Sequence, residues 1–260
     1  MSAMASPPRP DRPNRSGYAY LTHRPLNNLL FILPALLFFQ VGSMAYDSNL
    51  LAPRHLGRLL RFFGGTAPYL PALLIVVVLL VQHVIRRDRW RAQPWVLVGM
   101  LGESLGWVLP LIAMSHVTGK AFLPVAAGPV AGPSCQAVTT AAAPGLMHQV
   151  LLAVGAGIYE EFIFRLALVS LALLVFVDVF ELPRDGVALA AVGVAAVLFS
   201  FYHLSLSQLA NWSNFPAFAL VFRMLAGAYL GGLYLLRGFG VAVGTHTLWN
   251  LLLVVFDHGG

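Results

Sequence analysis

Long apolar stretches recur along this chain of 260 residues, and they have the length that a bilayer-crossing helix needs. A hydrocarbon core of about 30 Å requires about 20 consecutive apolar residues. Such stretches lie near residues 26–46, 68–85, 94–117, 146–180, 186–204, 216–236 and 239–257. Hydrophobic residues make up 58% of the chain and charged residues only 10%, which an ordinary soluble core does not accommodate. The sequence therefore predicts an integral membrane protein.

The apolar stretches predict helices, because a membrane barrel requires alternating ten-residue strands rather than unbroken apolar runs. The stretch 146–180 exceeds one simple crossing, since its length as a straight helix is about 52 Å. It is either one long tilted helix or two segments. We therefore expect an all-α, polytopic membrane bundle of seven or eight transmembrane helices.

The first 25 residues are rich in proline, serine and arginine, and they predict a disordered N-terminal tail. Residues 26–260 are predicted to form a single transmembrane domain. Arginine and lysine counted near the ends of the apolar stretches favour a cytoplasmic N-terminus. The net charge is +6, and the arginines lie beside apolar runs, which indicates contact with anionic lipid head groups rather than nucleic acid. A composition rich in Ala, Val, Leu and Arg, with one Lys, fits a bacterial plasma membrane protein.

Three ionisable residues occur within six positions of an apolar run, in the sequence YEEFIFR. Glu160, Glu161 and Arg165 would together cost about 8–10 kcal/mol to bury in a bilayer. Glu161 and Arg165 are four residues apart, so they share a helix face and we expect them to form an ion pair. Glu160 points about 100° away and stays free of the arginine.

Two further polar groups follow in later apolar stretches. His203 lies near the end of the stretch 186–204, with Phe199 one helical turn before it. His246 and Asn250 are four residues apart and face the same way inside the last stretch. A buried carboxylate and His203 could activate water, and His246 with Asn250 could donate hydrogen bonds to an oxyanion. These residues predict a hydrolytic site.

The ordered motifs EExxxR, FxxxH and HxxxN resemble those of the CPBP family of glutamate intramembrane proteases, also called Abi or type II CAAX-prenyl-endopeptidase-like. The resemblance covers a catalytic core at residues 146–257. It implies that Glu160 and His203 activate water, that His246 and Asn250 stabilise the oxyanion, and that Glu161, Arg165 and Phe199 support them. It also implies a membrane-associated or lipid-modified polypeptide substrate, with no cofactor and no metal.

Other functions remain open at this point. Glu160, His203 and His246 could instead ligate zinc as two histidines and a carboxylate. A non-catalytic scaffold, an immunity protein or a transporter could use the same polar groups to hold helices together or bind an ion. Glu103 lies inside the stretch 94–117 and would suit a transporter, unless it pairs with another helix, for which Arg223 is a candidate.

Two pairs of glycines, Gly227 with Gly231 and Gly240 with Gly244, have the small-xxx-small spacing that lets helices approach closely. We expect them to pack helices within one chain.

Overall fold

The computed structural model describes residues 17–46, 69–122, 145–204, 208 and 215–258. All regular secondary structure in these ranges is helical. The helices are α1 (Tyr18–Thr22), α2 (Pro25–Tyr46), α3 (Leu70–Arg86), α4 (Pro94–Phe122), α5 (Leu146–Val179), α6 (Arg184–Tyr202), α7 (Ala217–Arg237) and α8 (Phe239–His258).

Six of these helices are long and apolar enough to cross a membrane, namely α2, α4, α5, α6, α7 and α8. The seventh apolar helix, α3, is shorter, with 17 residues. Helix α5 is continuous over 34 residues, so the stretch 146–180 forms one helix rather than two. The predicted all-helical polytopic bundle is confirmed.

Helix α8 lies at the centre of the bundle. It packs most extensively on the first half of α5 and on α4, and it also contacts α2 and α7. Apolar side chains of α2, α3, α5 and α8 form one core cluster, and those of α1, α4, α7 and α8 form another. The last helix therefore contributes side chains to both core clusters.

The outer faces of the bundle are apolar as well. Large hydrophobic side chains are 70% exposed or more at several positions, such as Val98 at 72%, Ile85 at 73% and Leu189 at 77%. Exposure of these side chains to water is unfavourable. In a bilayer they need no protein partner, because the surrounding lipid tails are equally apolar. The exposed apolar residues therefore agree with the membrane location that the sequence predicts.

The first helix begins at residue 18, inside the segment 1–25 that the sequence predicts to be disordered. Residues 18–22 form helix α1, with Leu21 and Thr22 buried. The physical reason is the apolar and aromatic segment that follows the proline-rich part: Leu21 joins a core cluster, and Tyr18 packs beside it. Residues 1–16 lie outside the described ranges.

The glycine pairs pack helices within the chain, as predicted. A Cβ atom at Gly227 would lie 3.1 Å from the Cα of Ala196, and one at Gly231 would lie 2.8 Å from a methyl of Val192. Both neighbours are on α6, so this glycine face lets α7 approach α6 closely. Gly240 and Gly244 likewise face side chains of α2 and α4.

Candidate active site

The two adjacent glutamates lie where the first half of α5 ends. Residues Leu146–Glu161 are α-helical, and the chain continues as a π-helix over Phe162–Val169. Glu160 is 7% exposed, whereas Glu161 and Arg165 are essentially inaccessible at 0% and 1%. Short π-helical segments inside α-helices occur frequently at functional sites. The change of helix type next to two buried carboxylates therefore marks this part of α5 as a candidate functional site.

Glu161 and Arg165 form the ion pair that their spacing predicts. Arg165 Nη1 lies 2.9 Å from Glu161 Oε1. Arg165 Nη2 also donates a hydrogen bond of 3.1 Å to the carbonyl oxygen of Gly227, and the guanidinium lies 4.7 Å from the ring centroid of Phe199. The arginine therefore holds α5, α6 and α7 together through one charged group, with Phe199 as its cation–π partner.

Glu160 faces two histidines from two other parts of the chain. One carboxylate oxygen lies 3.4 Å from Nε2 of His203, and the other lies 3.7 Å from Nε2 of His246. His203 follows the end of α6, and His246 projects from α8. The structure therefore brings together three residues that the sequence places in three different motifs.

The hydrogen bonds of His203 indicate which of its nitrogens carries hydrogen. Its Nδ1 lies 2.8 Å from the carbonyl oxygen of Phe199, and a carbonyl can only accept, so Nδ1 is the donor. The other nitrogen, Nε2, faces the carboxylate of Glu160. A carboxylate 3.4 Å away stabilises a proton on Nε2, so the two groups are placed as an acid–base pair. Such a pair can take up a proton and release it again.

His246 is held by the second glutamate. Its Nδ1 lies 2.7 Å from Oε1 of Glu161, the same oxygen that contacts Arg165. The carboxylate accepts the Nδ1 hydrogen, and Nε2 is thereby directed towards Glu160. Sequence reasoning assigned Glu161 to support but missed this contact. The two residues are 85 positions apart on different helices, and no spacing rule relates them.

Asn250 lies one helical turn, about 6 Å, beyond His246 along α8. Its side-chain amide donates a hydrogen bond of 3.3 Å to the carbonyl oxygen of Ala153 on α5. A primary amide carries two N–H groups, and this bond uses one of them. The structure thus places Asn250 between α5 and α8, on the side of His246 away from Glu161.

Close packing between α5 and α8 sets these distances. A Cβ atom at Gly157 would lie 2.8 Å from the Cα of Thr247, which is nearer than real side chains approach. Gly157 is one turn before Glu161, and Thr247 is adjacent to His246. The glycine therefore allows the backbones to come close enough for the carboxylates to reach the histidine ring.

Metal ligation was one alternative from the sequence. Within the described residues, no group of three or more His, Cys, Asp and Glu side chains has an arrangement that could hold a metal ion. Glu160, His203 and His246 are instead spaced as carboxylate–imidazole pairs.

Glu103 pairs with Arg237 rather than with Arg223, the partner considered from the sequence. Arg237 Nε and Nη2 both contact its carboxylate, the latter at 3.0 Å, and Tyr18 and Trp107 donate further hydrogen bonds of 2.9 and 3.1 Å. Arg223 is 14 residues earlier on the same helix, about 21 Å away along the axis. Glu103 is therefore an anchor between α1, α4 and α7.

Comparison with known proteins gives one result. Residues 141–252 match the sequence model of a family described as type II CAAX prenyl endopeptidase Rce1-like. A search of curated proteins and of solved structures finds no match. The matched region holds all the predicted site residues: Glu160, Glu161, Arg165, Phe199, His203, His246 and Asn250. Over this region the chain is similar to a family of membrane peptidases, and the resemblance that the three motifs indicated is confirmed.

Proposed function

We propose that this integral, multi-pass membrane protein is a peptidase of the glutamate type. It hydrolyses a peptide bond in a membrane-associated or lipid-modified polypeptide. The observation that carries the proposal is the buried carboxylate of Glu160, which faces Nε2 of His203 and Nε2 of His246 from two different helices. The family match over residues 141–252 supports a peptidase in general.

In the proposed reaction, Glu160 and His203 bind the attacking water and accept its proton. The hydroxide adds to the scissile carbonyl carbon, and the peptide bond then breaks. The proton held between Glu160 and His203 is delivered to the leaving amine, so the site returns to its starting state. A proton-sharing pair suits this task because it both accepts and donates within one cycle.

His246 and Asn250 stabilise the negative charge that develops on the carbonyl oxygen. When His246 is protonated, Nδ1 donates to Glu161 and Nε2 can donate to the oxyanion. Glu161 keeps the ring in this orientation and stabilises its positive charge, as carboxylates do for catalytic histidines in other hydrolases. Asn250 supplies an N–H group one turn away on the same helix.

The polypeptide substrate reaches this site from the membrane side, since the residues lie in helices surrounded by apolar surface. We propose a cytoplasmic N-terminus, which the distribution of arginines supports, in a bacterial plasma membrane, which the composition supports.

The test compares the terminal peptides of membrane proteins, by mass spectrometry, in cells that express wild type, Glu160→Gln or Glu181→Gln at equal levels. Glu160→Gln keeps the size of the side chain but removes the base. Glu181→Gln makes the same chemical change at an exposed position just after α5. We expect longer precursors to accumulate only with Glu160→Gln.

In a reconstituted assay, His203→Ala should lower turnover by about 10²- to 10⁴-fold.

Two other outcomes would redirect the assignment. Identical peptide profiles, with the biological phenotype retained by Glu160→Gln, would indicate a scaffold, an immunity protein or a transporter. Loss of cleavage on exhaustive chelation, with recovery on adding Zn²⁺, would indicate a zinc hydrolase.

A further inference from the structure

A polar cavity lies at the end of the bundle where α2 begins and where α3 and α7 end. It has a volume of about 290 Å³ and is lined by Tyr20, His23, Arg24, Arg86 and Asp88. None of these residues contributes to the site around Glu160. The cavity is large enough for a phosphate group and part of a head group.

Hydrogen bonds hold the walls of this cavity in place. Tyr20 donates to Asp88 at 3.1 Å, and Arg86 Nη1 donates to the carbonyl oxygen of His23 at 2.7 Å. Arg24 donates to the carbonyl oxygen of Arg89, and His23 Nε2 lies 3.2 Å from the carbonyl oxygen of Leu235. The end of α3 and the loop after it are thereby fixed against residues 20–24, and His23 is fixed against the end of α7, so the cavity is formed before any ligand arrives.

The charge of the cavity favours an anion. Two guanidinium groups line it, and the single carboxylate, Asp88, already has Tyr20 and, at 4.0 Å, Arg24 as neighbours. Arg24 is only 5% exposed, and its Nε has no hydrogen-bond partner among the described residues. Arg86 is exposed and uses one of its donors for His23. Three more exposed arginines follow at positions 87, 89 and 91.

Exposed tryptophans indicate that this end of the bundle lies at the membrane surface. Trp90 is 64% exposed and Trp95 is 56% exposed. The ring of Trp90 packs edge-on against the buried His83, with centroids 4.3 Å apart, which holds it beside the arginines. Tryptophan is enriched where membrane helices meet the lipid head groups. A basic cavity at that level is where the phosphate of a lipid is within reach.

We propose that this cavity binds the phosphate of an anionic phospholipid head group. Arg86 supplies charge-assisted hydrogen bonds to it, and the guanidinium of Arg24 adds positive charge to the wall of the cavity. The site is separate from the peptidase site, and its occupation does not depend on the proposed function.

The test measures lipid binding to the full-length purified protein by native mass spectrometry, with phosphatidylglycerol and phosphatidylcholine as probes. Wild type should retain phosphatidylglycerol in preference. Arg86→Gln should weaken that binding by about fivefold or more, the scale expected for one arginine at an anionic surface. Arg91→Gln removes the same charge from an exposed position outside the cavity, and it should change binding by less than about twofold. Equal losses in both variants would overturn the proposal.

Two further measurements keep the test decisive. A phosphatidylglycerol with a photoreactive head group should label residues 20–24 or 86–91 of wild type, and labelling only elsewhere would contradict the site even if Arg86→Gln fails to fold. Inorganic phosphate distinguishes the source of the anion. If it stabilises the protein against heat as much as phosphatidylglycerol does, without preference for this lipid over phosphatidylcholine, the cavity takes a free phosphate and the lipid assignment is wrong.

Discussion

Arg165 neutralises the most deeply buried carboxylate of the protein's described part. Replacement by alanine leaves Glu161, at 0% exposure, without its cation. Breaking a buried pair in this way costs about 3–5 kcal/mol. We therefore expect Arg165→Ala to lower the amount of folded protein and its melting temperature in detergent. Arg184→Ala, at an exposed position, is the control and should leave both unchanged. Equal stability of the two variants would show that the ion pair contributes nothing to the fold.

Spacing alone predicts individual side-chain contacts only where both partners lie on one helix, and the approach of His203 to Glu160 was implied only by the family resemblance. The pair Glu161–Arg165 follows from four-residue spacing, and so does the contact of His203 with Phe199. The contact between Glu161 and His246 depends on how α5 packs on α8, which no local pattern contains. For the same reason the sequence suggested Arg223 as the partner of Glu103, because pairing with Arg237 depends on where along α7 the two helices meet.

The contact between α5 and α8 sets the geometry of the candidate site, and Gly157 is its most sensitive point. A methyl group there would meet the backbone of Thr247, so Gly157→Ala must push the helices apart. Displacement of catalytic groups by about 1 Å can lower a rate by about 10²-fold. We expect Gly157→Ala to lose most of its peptidase activity while staying in the membrane.

Gly193 on α6 provides a matched control, because a Cβ there has nothing within 4 Å. Gly193→Ala should retain full activity, since alanine favours a helix over glycine by about 1 kcal/mol. If both variants keep wild-type turnover in a reconstituted assay, tight packing at Gly157 is not needed for the reaction.

Helix positions were the most predictable feature of the chain, because about 20 apolar residues in a row have few alternatives in a membrane. The predicted stretch 94–117 corresponds to α4, and 239–257 corresponds to α8. Helix α1 was missed because five residues carry no measurable periodicity, and its burial comes entirely from tertiary contacts. The π-helical segments of α5 were missed as well, since their residues are ordinary apolar ones.

Tyr18, Glu103 and Arg237 tie the first described helix, α1, to α4 and to the end of α7. Burial and the hydrogen bond to Glu103 raise the pKa of Tyr18 to about 12. The folded-state pKa is above that of the unfolded chain, about 10. The stabilising contribution of the protonated phenol is therefore fully present below pH 10 and is lost as the pH rises through 12.

Tyr18→Phe should accordingly melt at a lower temperature than wild type at pH 8, and the difference should shrink as the pH rises towards 12. Thermal melting of both proteins in detergent from pH 8 to 12 measures the difference in melting temperature. If that difference stays constant with pH, the hydrogen bond of the Tyr18 phenol is not its source.

The number of residues in helix α5 affects the geometry of the site as well as their chemistry does. Its π-helical segments, Phe162–Val169 and Leu174–Val179, have wider turns than the α-helix around them. Each segment therefore changes the angular phase between the residues before it and those after it. A π-helical turn holds about one residue more than an α-helical turn, so deleting one residue from the first segment can be absorbed by reversion to α-helix, and the residues downstream stay near their present phase relative to Glu160. The same deletion in the α-helical part Leu146–Glu161 has no such reserve and would rotate the residues on its two sides by about 100° relative to one another, so the tolerance of α5 to a change of length depends on where the change falls.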